Sequence, residues 1–348
     1  MAFIADEHQQ GQSLESDGDG SGSIQIQNEQ DTSHGASTTA GGATNQSVIL
    51  ATAGYDHVIK FWDPSTGNCY RDVKFSDSQI NCLQVTQDRK YLAAAGNPHV
   101  RLYEINSKVN THLTNYSQHK GNVTSIQFQN DAKVLYTGSE DGTIKAWDMR
   151  VSTVAREFKN NSPINEISLH PNQCEIISCD QEGRIRKWDM GKDGSEPLMD
   201  SKPDGNVSLH SLDIAVDGSV GAVVNNSGNA YFWNPNEPEV CFEKLEAHKG
   251  QYVLKCRISP DKNMLATTSA DHTVKLWDLK SRTLSKTLIS HQRWVWDCTF
   301  SADSSYLVTC SSDHTARLWE IERGEVIRHY TGHHKAVICC ALNDTSPA

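Results

Sequence analysis

ATTSADHTVKLWD, Ala266 to Asp278, decides the fold, because versions of it recur along most of the chain. Aligned on the last aromatic, the others are ATAGYDHVIKFWD ending at Asp63, AAAGNPHVRLYE at Glu104, YTGSEDGTIKAWD at Asp148, IISCDQEGRIRKWD at Asp189, AVVNNSGNAYFWN at Asn234 and VTCSSDHTARLWE at Glu320. The anchoring aromatics Trp62, Tyr103, Trp147, Trp188, Trp233, Trp277 and Trp319 are spaced 41, 44, 41, 45, 44 and 42 residues apart. A self-similar period of roughly 40 to 45 residues marks a propeller of four-stranded blades. Within a unit the apolar residues alternate, as in half-buried strands. The sixth unit reads as strands Tyr252 to Ser259, Leu265 to Ser269, Thr273 to Trp277 and Thr283 to Ile289, separated by turn residues. The expectation is an all-β, seven-bladed propeller over residues 47–344, preceded by an acidic, low-complexity, disordered tail over residues 1–46.

The two ends of the repeat are unequal in a complementary way. The first unit begins at Val48 without an inner strand, and the last is followed by an extra one, Ala336 to Leu342. We therefore expect the two ends to share one blade, which closes the ring and covers its edges.

Composition narrows the function. Net charge is −11, of which Asp6, Glu7, Glu15, Asp17, Asp19, Glu29 and Asp31 in the tail supply seven, leaving −4 for the rest. A nucleic-acid binder needs a basic face to displace counterions, and no Lys/Arg cluster supplies one. The ten cysteines include no CxxC pair and no zinc spacing, so they read as reduced, mostly core residues. The tail segment DGDGSGSI, Asp17 to Ile24, imitates a calcium loop, but position twelve is Asn28 where a bidentate acid is needed. No cofactor or metal is expected. With no apolar run approaching 18 residues and no signal-like start, the chain reads as cytoplasmic, reaching endomembranes through partners and not by insertion.

Ser, His, Asp and Trp recur together as His119, Ser139, Asp141, Trp147; as His248, Ser269, Asp271, Trp277; and as His291, Ser311, Asp313, Trp319. An active site is needed once, whereas a structural device is needed in every blade. No nucleophile elbow or phosphate-binding glycine loop accompanies them. They read as structural hydrogen-bonded chains, and the protein reads as no enzyme. The second, fourth and fifth units, with Asn97-Pro98, Gln181-Glu182-Gly183 and Asn226-Ser227-Gly228 in their turns, read as weaker blades.

The informative departures lie on the inner strands. Val123, Val295 and Val337 each follow a loop histidine by four and face the core, so their neighbours face the channel. There the third unit has Asn122 and Thr124, but the seventh has Trp294 and Trp296. Exposed aromatics of this kind anchor partners, and Arg293, Tyr252 and Gln79 extend the candidate patch. A second departure is Trp147-Asp148-Met149-Arg150. This WDxR tetrapeptide resembles the docking motif of cullin-type ubiquitin-ligase substrate receptors, with Arg150 as the adaptor-binding residue, which gives an alternative function.

Beyond the repeat, the chain resembles the WD-repeat subunit of TOR kinase complexes, the G-protein beta-subunit-like family. The resemblance is carried by VILATAGYDH at Val48, DSQINCLQVTQDRKYLAAAG at Asp77, INEISLHPNQCEIISCDQEG at Ile164, RWVWDCTFSADSSYLVTCSSD at Arg293 and GEVIRHYTGHHKAVICCALND at Gly324. It spans about residues 48 to 344. It implies a non-catalytic subunit of both TOR complexes, monomeric by itself, that seats on the kinase catalytic domain and stabilises it in growth signalling. It also implies that Gln79, Trp294 and Trp296 lie in that contact.

Overall fold

A computed structural model describes residues 48–192, 196–237 and 241–345. The acidic tail and its calcium-loop-like segment lie outside the described residues. The chain divides into Met1–Thr44 and a compact unit spanning Asn45–Ala348. The second unit contains seven antiparallel four-stranded sheets. No described helix is long and apolar enough to cross a membrane.

Blades are numbered in chain order from the one that starts at Ile49. Blade 1 takes its inner strand from the far end of the chain. Val337–Asn343 lies beside Ile49–Gly54, followed by Val58–Trp62 and Cys69–Lys74. The register runs from Ile49 opposite Asn343 to Gly54 opposite Val337. The closing strand packs between the inner strands of blades 7 and 2, so the two ends of the chain share one blade, as the unequal ends of the repeat require. Where it meets Gly54 the backbones touch: a Cβ on Gly54 would lie 2.1 Å from the Ala336 carbonyl oxygen.

The core is distributed, with one apolar cluster in each seam between neighbouring blades. Each anchoring aromatic lies in the seam with the preceding blade; Trp147 packs there on Tyr116, with centroids 5.1 Å apart, and Trp62 on Tyr330 at 5.5 Å. Six cysteines are buried, Cys82 is half-buried, and Cys69, Cys174 and Cys241 are exposed.

Inner strands have no strand partner on their channel side. In blades 3 to 6 and blade 1 a free N–H group is taken by a side chain of the preceding blade. Phe128 N–H donates to Gln84 Oε1 (3.0 Å), Ile167 to Ser125 Oγ (3.2 Å), Leu212 to Glu166 Oε2 (3.0 Å), Cys256 to Ser211 Oγ (3.1 Å) and Cys340 to Asp297 Oδ2 (2.9 Å). An unmade bond at such a buried group costs about 1–3 kcal/mol.

Removing residues 333–348 takes away both the ladder to Ile49–Gly54 and the acceptor interactions of the closing strand. The thermal midpoint is expected to fall by roughly 10 °C or more, or cooperativity to vanish. Gly54→Ala should move it in the same direction. A melting curve unchanged by the truncation contradicts closure through the shared blade.

Candidate functional site: the aromatic mouth of the channel

The His-containing chains set the rim of the channel. In blade 3, Trp147 Nε1–H donates to Thr137 Oγ1 (2.9 Å), Thr137 meets His119 Nε2 (2.7 Å), and His119 Nδ1 meets Asp141 Oδ2 (2.9 Å). With the indole hydrogen accepted by the threonine oxygen, the hydroxyl hydrogen is free to point at Nε2. The carboxylate only accepts, so the imidazole carries a hydrogen on Nδ1 toward it. Blades 6 and 7 repeat this through Thr267 and Thr309.

The hydroxyl in the chain is thus the threonine ten residues before the tryptophan, and not Ser139, Ser269 or Ser311. Those serines pin the turn, each accepting the N–H of the aspartate two residues on, Asp141, Asp271 and Asp313, at 3.0–3.1 Å. Ser139 also donates to Asn122 O and Ser311 to Arg293 O, both at the start of inner strands. The spacing was a readable signal, since Thr52, Thr137, Ser178, Thr267 and Thr309 all precede a tryptophan by ten.

A fourth complete chain joins the two ends of the protein. His333 meets Thr52 (2.8 Å) and Asp56 (2.7 Å), and Trp62 donates to Thr52 (2.7 Å). Blade 4 is better braced than its turn suggests. Trp188 donates to Ser178 (2.9 Å), and Asn160 takes the histidine's place, donating to Asp180 (3.0 Å). Blade 5 has Val223 at the threonine position, and Trp233 Nε1 is buried without a protein partner.

The chains make stability depend on pH. Burial pushes the carboxyls of Asp141, Asp271 and Asp313 up, but the hydrogen bonds from their histidines and from the following threonines outweigh it and hold them well below the usual range. Burial lowers His291, against the pull of Asp313.

Above this frame lies the mouth. The inner strands of blades 1 and 3 to 7 start with a bulge, and in blade 7 the bulged residue, between Val295 and Asp297, is Trp296. A bulge turns its side chain out of the regular alternation. In blades 2 to 4 the corresponding side chains are polar and spent on the next blade. Asn81 donates to Val123 O (3.1 Å), Thr124 to Ile164 O (2.9 Å) and Asn165 to Leu209 O (2.6 Å). In blades 6, 7 and 1 they are Leu254, Trp296 and Ile338.

Of the expected patch, Tyr252, Trp294 and Trp296 come together. Tyr252 meets Trp294 edge-on at 6.4 Å, and Trp294 meets Trp296 at 5.5 Å with planes tilted by 52°. All three are half-buried, and Arg293 is exposed beside them. Trp296 is held by its Nε1–H bond to Ser312 Oγ (2.7 Å), a serine that sequence reasoning missed along with Leu254 and Ile338. Gln79 is half-buried at the matching position of blade 2, two blades away. Arg150 lies on an outer turn, where its guanidinium folds back onto both oxygens of Asp148 (Nε 2.9 Å, Nη2 2.6 Å).

A family model described as the IFT122 first beta-propeller matches residues 86–348, as suits a chain of repeated WD blades. Closer likeness comes from full-length relatives. The target of rapamycin complex subunit wat1 of Schizosaccharomyces pombe is 48% identical over 309 residues, covering 86% of this chain and 96% of the relative. The target of rapamycin complex subunit LST8 of Saccharomyces cerevisiae is 48% identical over 304 residues, 86% and 99% of the two chains. That of Bos taurus is 44% identical over 326 residues, 89% and 99%. The chain belongs to the LST8 family. In this LST8-family propeller the similarity reaches past the blade signature to most of the chain, so it includes the inner strands that form the mouth.

Two measurements test the frame of this LST8-family propeller. Thr309→Val leaves Trp319 Nε1–H and His291 Nε2 unpartnered and should cost about 2 kcal/mol. Val223→Thr gives Trp233 an acceptor and should raise stability by up to about 1 kcal/mol. Equal effects of the two substitutions on the urea midpoint would contradict the assignment. For pH, the folded state binds fewer protons than the unfolded chain, so stability rises with pH. The contribution is complete above the ordinary histidine value of 6.5 and is lost as pH falls through it and then below the ordinary carboxylate value of 3.8. Melting temperature should therefore drop between pH 7.5 and pH 4, and Asp313→Asn, which removes the carboxylate that pulls His291 up, should steepen that slope and flatten the further fall below pH 3.8.

Proposed function

We propose that this protein is a non-catalytic subunit of TOR kinase complexes that seats its aromatic mouth on the kinase catalytic domain and stabilises it. The observation that carries the reading is the Tyr252, Trp294 and Trp296 ladder. Large rings left half-buried at a mouth where the polar bulge side chains of blades 3 and 4 and Asn81 of blade 2 are spent on neighbouring blades form a preorganised apolar surface, with Arg293 and Gln79 as polar flanks. Trp, Tyr and Arg dominate binding hot spots because they bury much area at little conformational cost. The names of the relatives, each a target of rapamycin complex subunit, supply the class of partner.

The chemistry of the mouth favours binding over catalysis. His119, His248, His291 and His333 are locked inside their blades between threonine and aspartate, and among the described residues no group of three or more His, Cys, Asp or Glu is arranged to hold a metal. The chain acts in the cytoplasm under this reading, as a monomer by itself, and reaches endomembranes with its partners.

Trp294→Ala with Trp296→Ala should weaken association with the TOR kinase domain at least a hundredfold, about 3 kcal/mol, in a pull-down or calorimetric titration. The melting temperature should change much less, because neither ring belongs to a seam cluster. Undiminished binding by the double variant moves the interface elsewhere. Failure of the unaltered chain to co-purify with a TOR kinase removes the proposal.

A further inference from the structure

The channel has a second chamber at its other end. The aromatic mouth lies where the inner strands begin. Farther along the same strands, and bounded by the turns that follow them, is a cavity of about 630 Å³. Its wall from blades 2 to 4 carries the side-chain amides of Gln84, Gln127 and Gln173; its wall from blades 5 to 7 carries Asp213, Lys255, Arg257 and Asp297.

These charges do not balance. Glu166, buried behind the wall, holds both cations on a single oxygen, with Lys255 Nζ at 2.7 Å and Arg257 Nη2 at 2.9 Å from Oε1. Lys255 is also 4.0 Å from Asp297 Oδ1. Asp213 accepts the Ile258 N–H at 2.8 Å through Oδ2, but among the described residues no Lys or Arg nitrogen lies within 4 Å of it. Three carboxyl groups face two cations, and the shortfall falls on Asp213. Burial pushes that carboxyl up, with only the field of Arg257 and the backbone bonds opposing. A carboxylate without a counter-ion in a low-dielectric cavity is costly, so it either keeps a proton or takes up a cation.

We propose that this chamber binds a basic side chain, the arginine or lysine of a partner peptide, whose cation completes the charge at Asp213 and Asp297. A guanidinium matches a carboxylate in two bonds. Side-chain amides both donate and accept; on the opposite wall Gln84 donates to Gln127 and Gln127 to Ile167 O, which leaves each amide a second N–H, and with Gln173, which accepts the Asn130 N–H, they suit the carbonyls of a peptide backbone. An anionic ligand fits less well, since both cations are already engaged by Glu166. The inference does not rest on the kinase-docking reading, because it concerns the opposite end of the channel.

The test is an isothermal or NMR titration of the full chain with acetyl-Gly-Arg-Gly-amide. Saturable binding is expected, at least tenfold weaker for the uncharged citrulline counterpart and for Asp213→Asn, which keeps the acceptor for Ile258 N–H. The Asp213 carboxyl should titrate at lower pH when the peptide is bound. Absence of saturable binding at millimolar peptide overturns the proposal, as does equal affinity of the citrulline peptide. Spermidine binding as tightly as the peptide overturns the assignment to a peptide. The citrulline comparison uses the unaltered chain, so it decides the matter even if Asp213→Asn folds poorly.

Discussion

The structure depends on how each inner strand satisfies a backbone edge that no strand covers. Seven sheets arranged around a channel leave seven such edges, and an unpaired N–H there is either wet or costly. In five of the seven seams the protein answers with a polar side chain, Gln84, Ser125, Glu166, Ser211 or Asp297, accepting an N–H from the next blade. These bonds tie blade to blade beside the apolar clusters, whose own residues Phe128, Ile167, Leu212, Cys256 and Cys340 are the donors. They also dictate what the channel can be. Once acceptors must line it, carboxylates enter it, and with them the cations Lys255 and Arg257, which join blade 6 to Glu166 across blade 5.

The same requirement divides the two ends of the channel. At the start of the inner strands the bulges turn side chains outward, and in blades 3 and 4 these, like Asn81 of blade 2, are spent on the neighbouring carbonyls. Where the bulge residue is Leu254, Trp296 or Ile338 nothing polar is offered; Leu254 is buried, and Trp296 and Ile338 leave apolar surface for another molecule. The tryptophans are tolerated there because Trp296 has Ser312 for its indole hydrogen and Trp294 stacks between two rings. Rigidity beneath them comes from the His chains of blades 6, 7 and 1, which all lie on this arc.

Architecture was legible because it is written locally and repeated. The aromatic period gave the blades, alternation gave the strands, and the unequal ends gave the closing strand to within a residue. The position of Tyr252 and Trp294 followed from register, since both immediately precede an inner strand in adjacent blades. What stayed hidden was the identity of partners that meet only in space. Ser139 looked like the hydroxyl in the chain because it sits next to Asp141, yet in an antiparallel hairpin the residue facing the indole is Thr137, two residues back on the same face. Glu166 and Lys255 are 89 residues apart, and no repeat phase brings them together on paper. Gln79 shares a loop position with the tryptophans, but loop position alone does not say which blades are neighbours.

Blade 1 shows why closure takes this form. Its strands come from sequence positions almost 300 residues apart, so its formation orders the entire ring and its entropic cost is the largest of any blade. It is also the blade in which the serine of the turn is replaced by Gly54, because the Ala336 carbonyl occupies the space a side chain would need. The turn loses its serine fastening there, but the chain from Trp62 through Thr52 and His333 to Asp56 is complete. Three of those four residues come from the first blade of the sequence and the histidine from the last. The bonded chain therefore forms only when the ring is shut, and it couples closure of the propeller to the geometry of a mouth that blade 1 borders through Ile338.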